Sequence, residues 1–134
     1  MYNDCAFCKI ISGQQNARVV YRNDDAIAFF PLEMNAKGHI IIAPTKHFTD
    51  LFNISESGLS SLMKTVSFLS KHCRHQLKAN GVNILHASGK AAQQSVFHFH
   101  FHLLPRFNDD KLNAWPELQE WSGELDELLV TMKV

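Results

Sequence analysis

The stretch Ser95-Val96-Phe97-His98-Phe99-His100-Phe101-His102-Leu103-Leu104-Pro105-Arg106 alternates three histidines with three phenylalanines. A β-strand points successive side chains to opposite faces, so this alternation predicts a strand with one apolar face on the core. The other face would carry a row of imidazoles, directed to a cleft or to solvent. Neighbouring imidazoles would lie about 6.6 Å apart, so one metal ion could take two of them but not all three. The row also suits phosphate chemistry, because one imidazole can attack phosphorus while its neighbours donate hydrogen bonds to the oxygens.

Length and composition predict one small domain. The chain has 134 residues, of which 46% are hydrophobic, so we expect a single domain over residues 1–134. Acidic and basic residues balance at 13 each, which argues against a nucleic-acid partner. Apolar runs are too short for a membrane span, the N-terminus lacks a signal-peptide pattern, and the few cysteines fit a reducing compartment. We therefore expect a cytoplasmic protein that binds neither nucleic acid nor membrane.

The order of the predicted elements indicates the fold class. Strand-like runs are Arg18 to Arg22, Ala26 to Phe30, Gly38 to Pro44, Val82 to His86 and the histidine segment. Apolar residues at spacings of three and four predict a long helix from Ser55 to Asn80, and shorter helices are expected from Cys5 to Gly13 and from Glu117 to Met132. The strands follow one another closely without a βαβ rhythm. This order predicts an α+β fold, with an antiparallel sheet and helices on one face.

Two cysteines near the N-terminus, Cys5 and Cys8, are spaced to reach one metal ion. A closed tetrahedral zinc site needs two further ligands, and without a second cysteine pair these must be histidines. The candidates are His39, His47, His72, His75, His86 and the three alternating histidines. One such cysteine pair also occurs in redox sites and as plain structural cysteines, so the spacing alone leaves all three interpretations open.

Two segments carry a resemblance to a known family. His98-Phe99-His100-Phe101-His102-Leu103-Leu104 resembles the signature of the histidine triad (HIT) family, and Gly38-His39 through Pro44-Thr45-Lys46-His47 resembles its second pattern. The resemblance covers most of the chain and is closest to a bacterial-type branch that opens with Cys-x-x-Cys. It implies a HIT-like fold: a five-stranded antiparallel sheet, one long helix, and short N- and C-terminal helices. It also implies a structural zinc and no organic cofactor, with the ligands Cys5, Cys8, His47 and His98.

The resemblance further implies an activity. HIT enzymes cleave nucleoside phosphoramidates or dinucleoside polyphosphates at the α-phosphate, through a nucleotidyl-histidine intermediate that releases a nucleoside monophosphate. Here His100 would be the nucleophile, and His39 would help to set its tautomer. His102 would contact the phosphate and Ser95 the leaving group. The implied nucleotide-binding set is Ile10, Phe29, Leu32, Gln93, Gln94, Ser95 and His102. A purine nucleotide substrate and a homodimer, paired across the long helix and an adjoining strand, are implied in the same way.

Three positions depart from the family pattern. Pro31 stands where an Asp or Asn usually holds the ribose hydroxyls, Ala87 replaces an Asn, and Gln93 replaces a Gly. Contacts to the ribose and the phosphate that these departures remove could come instead from Glu33, Asn35, Ser88 or Gln93. The departures keep a second hypothesis open, a catalytically weak nucleotide-binding regulatory protein on the same fold.

A third hypothesis is a metal-dependent or cupin-like hydrolase. His98 and His100 would form a His-x-His metal pair, which needs a third ligand nearby, such as a glutamate a few residues on. The chain offers Asp109 and Asp110 there and no glutamate before Glu117, so this hypothesis has the weakest support from the sequence.

Overall fold

A computed structural model describes residues 4–134, in which five strands form one antiparallel sheet. The elements are α1 (Ala6–Ile11), β1 (Val19–Arg22), β2 (Ala26–Phe29), β3 (Ile40–Pro44), α2 (Glu56–Leu77), β4 (Gly81–Leu85), β5 (Phe101–Arg106) and α3 (Leu125–Met132). The strand order is β1-β2-β3-β5-β4, and every neighbouring pair is antiparallel. The predicted α+β fold is therefore confirmed. Within residues 4–134, no helix combines the length and apolar character that crossing a membrane requires.

Helix α2 covers one face of the sheet. It begins after Ser55, whose hydroxyl accepts a hydrogen bond from the Gly58 N–H at 3.1 Å, an N-cap that satisfies one of the open donors of the first turn. Its predicted apolar stripe is buried at Leu62, Val66, Leu69 and Cys73. Each of the three aliphatic side chains contributes roughly 1.5–3 kcal/mol when fully buried, so this stripe anchors the sheet to α2.

Helix α1 covers the opposite face, so the expectation of helices on one face only is wrong. Phe7 packs on Ile27, Phe29, Ile41 and Ala43, which alternate along β2 and β3 with the residues that face α2. Both faces of these two strands are buried as a result, which explains why their sequences are apolar throughout.

The histidine segment joins the sheet later than predicted. β5 begins at Phe101, and the residues before it lie outside the regular ladder. Pro44 ends β3 and has no N–H with which to extend the pairing. The N–H of Phe99 donates instead to the carbonyl of Phe48, at 2.6 Å. The chain therefore bends away from β3 just before the strand begins.

This bend changes which histidines share a face. His100 and His102 line one cavity, as the alternation predicts. The side chain of His98 is fully buried, so the expectation of three imidazoles facing a cleft or solvent is wrong at that position.

The C-terminal segment is less helical than predicted. α3 spans only Leu125–Met132, and the residues from Glu117 to Glu124 form no helix. Gly123 weakens a helix, and Trp121 is exposed, so no buried apolar contact offsets that cost. All residues from 115 to 134 are exposed, so this segment extends from the domain as an arm.

Candidate active site and metal centre

His100 lines a cavity, with one ring nitrogen held by the backbone. Its Nδ1 lies 2.7 Å from the carbonyl oxygen of His98. A carbonyl can only accept a hydrogen bond, so Nδ1 carries the proton and Nε2 keeps its lone pair. Burial lowers the pKa of His100, which favours the neutral imidazole. A neutral imidazole with an available lone pair is a nucleophile.

His102 presents the opposite hydrogen-bonding character to the same cavity. The backbone N–H of Asn35 donates to Nδ1 of His39 at 3.3 Å, so the proton of that ring lies on Nε2. Nε2 of His39 lies 2.9 Å from Nδ1 of His102 and donates to it. Nε2 of His102 therefore carries a proton that it can donate. Burial, aided by neighbouring histidines, lowers the pKa of His102 to about 4, so the ring donates as a neutral group.

The contact between His39 and His102 differs from the expected one. The resemblance implied that His39 sets the tautomer of His100, but the carbonyl of His98 holds Nδ1 of His100 and His39 contacts His102 instead. A backbone carbonyl two residues away satisfies Nδ1 of His100 directly, so no side chain from β3 is needed there.

The cavity beside these histidines has a volume of about 590 Å³. That size lies within the range of small-molecule sites. Six residues of the expected site line it: Ile10, Phe29, Leu32, Ser95, His100 and His102. Further apolar lining comes from Phe7, Phe30, Ile41 and Val96. The cavity combines a largely apolar lining with two imidazoles and the hydroxyl of Ser95, which suits a nucleoside joined to a phosphate.

Three polar residues of the wall were not anticipated from the sequence. Gln15, Asn16 and Arg18 lie between α1 and β1 and line the cavity beside Pro31. In the sequence they form an ordinary polar connection, and only the cation just before a strand hints at an anionic ligand. None of the residues suggested to replace the missing ribose and phosphate contacts lines this cavity: Glu33, Asn35, Ser88 and Gln93.

Gln93 and Gln94 lie outside the cavity wall. The side chain of Gln94 is buried, accepts from the Gly89 N–H at 2.8 Å and donates to the Thr49 carbonyl at 2.7 Å. These bonds fix the loop just before Ser95. Gln93 has a φ of +69°, a left-handed conformation that glycine adopts most easily, which explains why glycine suits this position.

The four predicted metal ligands lie together. The ligand atoms of Cys5, Cys8, His47 and His98 are all within 4.8 Å of one another. Nδ1 of His98 is 3.4 Å from Sγ of Cys5 and 3.6 Å from Sγ of Cys8. Nδ1 of His47 is 3.3 Å from Sγ of Cys8. Sulfur and nitrogen ligands of a tetrahedral zinc, with bonds of about 2.3 and 2.1 Å, lie about 3.6 Å apart, so this donor set fits zinc.

The surroundings of the cluster also suit a metal. Nε2 of His98 donates to the carbonyl of Pro44 at 2.9 Å, which orients Nδ1 toward the cysteines. Burial lowers the pKa of His98 to about 4, so the ring is neutral, as a ligand must be. Sγ of Cys5 also accepts the Cys8 N–H at 3.3 Å and thereby caps α1.

Comparison with known proteins identifies the class to which this fold and site belong. A family model described as the HIT domain matches residues 12–109. The chain therefore belongs to the histidine triad (HIT) family. An uncharacterised HIT-like protein of Methanocaldococcus jannaschii is 34% identical over 134 residues, covering 96% of this chain and 98% of that protein.

Two further relatives bear on the site. A zinc-bound histidine triad family protein of Mycobacterium smegmatis superposes with a TM-score of 0.79 at 31% identity, covering 87% of this chain and 84% of that one. An adenylylsulfatase of Arabidopsis thaliana is 31% identical over 127 residues, covering 95% of this chain and 64% of that protein. The HIT-like fold is thus confirmed, and the family includes proteins that bind zinc and proteins that act as hydrolases.

The cluster predicts metal-dependent stability. We expect the purified protein to hold about one zinc ion per chain and a chelator to lower its melting temperature. Cys8→Ser should reduce zinc content severalfold and remove the chelator effect, because one of four ligands is lost. Elemental analysis and thermal unfolding measure both. Cys73→Ser is the matched control, since that buried thiol lies on α2 away from the cluster. Equal zinc content in Cys8→Ser and wild type would contradict the assignment.

The low pKa of His102 predicts an acid-sensitive fold. The native ring has a pKa of about 4, against an ordinary value of 6.5, so the unfolded state binds more protons between these values. The free energy of unfolding therefore falls as the pH drops from about 6.5 toward 4. We expect a shallower fall in His102→Gln, measured by urea unfolding of metal-free protein. His75→Gln, at an exposed position on α2, should behave as wild type. Equal pH slopes for wild type and His102→Gln would refute this.

Proposed function

We propose that this protein is a nucleotide hydrolase or nucleotidyl transferase that acts at an α-phosphate. The observation that carries the proposal is the pair of opposite ring tautomers on one cavity: a lone pair on Nε2 of His100 and an N–H on Nε2 of His102. Attack on phosphorus needs an electron pair, and the phosphoryl oxygens need donors as charge develops on them. The site offers both without a change of protonation.

The proposed reaction has two steps. Nε2 of His100 attacks phosphorus and forms a P–N bond while the bond from phosphorus to the leaving group breaks. The hydroxyl of Ser95, which lines the cavity, donates a hydrogen bond to the departing atom, which takes its proton from solvent. Water then attacks phosphorus and releases a proton to solvent, the P–N bond breaks and its electron pair returns to Nε2 of His100, and a nucleoside monophosphate leaves. His102 donates to the phosphoryl oxygens in both steps.

The cavity wall suggests the substrate class. Ile10, Phe29 and Leu32 offer an apolar surface for a flat base, which we propose is a purine. The cation of Arg18 and the amide of Asn16 line the same cavity and can bind phosphate or ribose oxygens. Suitable substrates are nucleoside phosphoramidates and dinucleoside polyphosphates. The Arabidopsis relative adds adenylyl sulfate to the compounds that deserve testing.

The metal site has a structural role in this proposal. Cys5, Cys8, His47 and His98 would hold a zinc ion that ties the start of α1 to the segment before β5. Phe7 on that helix lies 5.1 Å from the ring of His100, centroid to centroid, so α1 forms one side of the nucleophile's surroundings.

One observation favours a second candidate, a nucleotide-binding regulatory protein with weak turnover. Pro31 lines the cavity and carries no side-chain acceptor for ribose hydroxyls. A substrate held loosely at the ribose would spend less time in the geometry needed for attack. Binding without turnover is the result that would identify this candidate.

We also propose a homodimer of single-domain, cytoplasmic subunits. β4 is an edge of the sheet, and an unpaired edge can take a second strand. The arm of residues 115–134 exposes Trp115, Trp121 and Leu125, and carries five acidic residues against one basic. Because the whole chain is neutral, the remaining residues carry a net charge of +4. A second copy offers this arm both apolar contact and opposite charge.

The proposed reaction predicts a covalent intermediate, a nucleotidyl group on His100. Brief mixing with an adenosine phosphoramidate should add one adenylyl group to the wild-type protein, detected by intact mass. The adduct and the release of adenosine monophosphate should both disappear in His100→Ala and His100→Gly. His72→Ala, an exposed histidine on α2, is the matched control and should form the adduct normally. Tight nucleotide binding by a wild type that forms no adduct would favour the regulatory protein instead.

The proposed homodimer should depend on the C-terminal arm. Full-length protein should be a dimer by light scattering, whereas a chain ending at Leu112 should dissociate at least tenfold more readily, because the apolar arm is lost. Removing only Lys133 and Val134 should leave the dimer unchanged. Circular dichroism checks that both shortened chains keep the sheet. A full-length monomer, or a dimer equally stable without the arm, would contradict the proposal.

A further inference from the structure

His86 lies where the pairing of β4 with β5 ends. The last paired residues are Leu85 and His102, so continuing the register would set His86 opposite Phe101. The nucleophile candidate His100 is one residue further back and precedes the first residue of β5. The ladder between β4 and β5 therefore stops before it reaches the backbone of His100.

The side chain of His86 takes over where this ladder stops. Its Nδ1 lies 2.9 Å from the carbonyl oxygen of His100 and donates to it, since a carbonyl only accepts. Its ring stacks on Phe99 at 4.5 Å between centroids and meets Phe101 at 5.3 Å. One side chain thus contacts three consecutive residues centred on His100.

A second hydrogen bond fixes the orientation of this ring. Nε2 of His86 lies 2.5 Å from Oγ of Ser88. The Ser88 oxygen also accepts the backbone N–H of Leu51 at 2.8 Å, which leaves its hydroxyl proton for His86. Because both ring nitrogens are engaged, rotating the imidazole would break two hydrogen bonds at once.

We infer that His86 is a positioning residue for the nucleophile, an inference that rests on the proposed function. His86 does not line the cavity, so it acts on substrate only through His100. The ring of His100 is held at Nδ1 by the carbonyl of His98, and its backbone is held by His86. Nε2 keeps a fixed direction of attack only if both restraints hold, and a shift of about 1 Å in a reacting group can lower the rate about 100-fold.

Two other roles for this histidine fit the structure less well. His86 was among the possible metal ligands in the sequence, but it lies outside the cluster formed by the two cysteines, His47 and His98. A plain core residue would need only the flat ring that stacks on Phe99. The two directed hydrogen bonds are what a packing role leaves unexplained.

Three substitutions separate positioning from packing. His86→Asn places an amide N–H near the position of Nδ1 and can keep the bond to the His100 carbonyl. His86→Gln places its amide near Nε2, so it keeps the contact with Ser88 and loses the hydrogen bond to the His100 carbonyl. His86→Leu keeps the apolar contact with Phe99 and loses both hydrogen bonds. Steady-state kinetics on an adenosine phosphoramidate, single-turnover adenylylation and thermal unfolding are measured for all three and wild type.

We expect kcat of His86→Asn to stay within about threefold of wild type, and kcat of His86→Gln and His86→Leu to fall about 10- to 100-fold. KM should change less than about threefold in each, because no cavity contact is removed. The rate of adenylylation should fall with kcat, since the misplaced group is the nucleophile.

The opposite outcomes overturn the inference. Equal kcat in His86→Asn and His86→Gln, whether high or low, would mean that the bond to the His100 carbonyl does not position the nucleophile. A loss confined to KM would overturn it as well. If wild type forms no adduct, the proposed function fails and the inference fails with it. If wild type forms the adduct but His86→Asn and His86→Gln have equal kcat, only the role of His86 is overturned and the proposed function stands.

Discussion

The carbonyl of His98 is the constraint on which the rest of the site depends. It lies 2.7 Å from Nδ1 of His100 and so decides which nitrogen of that ring keeps its lone pair. The side chain of the same residue belongs to the Cys/His cluster, with Nδ1 3.4 Å from Cys5 and Nε2 held by Pro44. The candidate metal cluster and the restraint on the proposed nucleophile therefore share one residue, and a displacement of its backbone would disturb both.

Burial explains why these histidines are held so firmly. Across residues 4–134, every buried side-chain nitrogen and oxygen has a hydrogen-bond partner. An unsatisfied buried ring nitrogen would cost about 1–3 kcal/mol, so each imidazole must adopt the one tautomer that its partners allow. The chain from Asn35 through His39 to His102 illustrates this, because a single backbone N–H fixes the tautomers of two rings in succession. The fixed tautomers of these imidazoles therefore follow from the ordinary requirement that buried polar groups have hydrogen-bond partners.

Much of this arrangement could be predicted from the sequence, and the failures have physical causes. Hydrophobic periodicity identified the strands and α2, since those elements bury a repeating face. Periodicity failed at Pro44, where a missing N–H ends a ladder, and at the arm, where an apolar pattern has no surface to bury against. The partner of His39 could not be found by spacing, because β3 meets the histidine segment through register set in three dimensions.

The two imidazoles and other residues of the cavity wall are held in place in different ways. The tautomers of His100 and His102 both trace back to main-chain groups: the carbonyl of His98 contacts His100 directly, and the N–H of Asn35 acts on His102 through the ring of His39. A main-chain N–H or carbonyl remains in place when the side chain of its own residue is substituted. Pro31 and Asn16 line the same cavity, and within residues 4–134 neither is hydrogen-bonded to these imidazoles, so either can be replaced without removing a partner of the two rings. Under the proposed function, nucleoside preference can therefore change while the tautomers of His100 and His102 are kept.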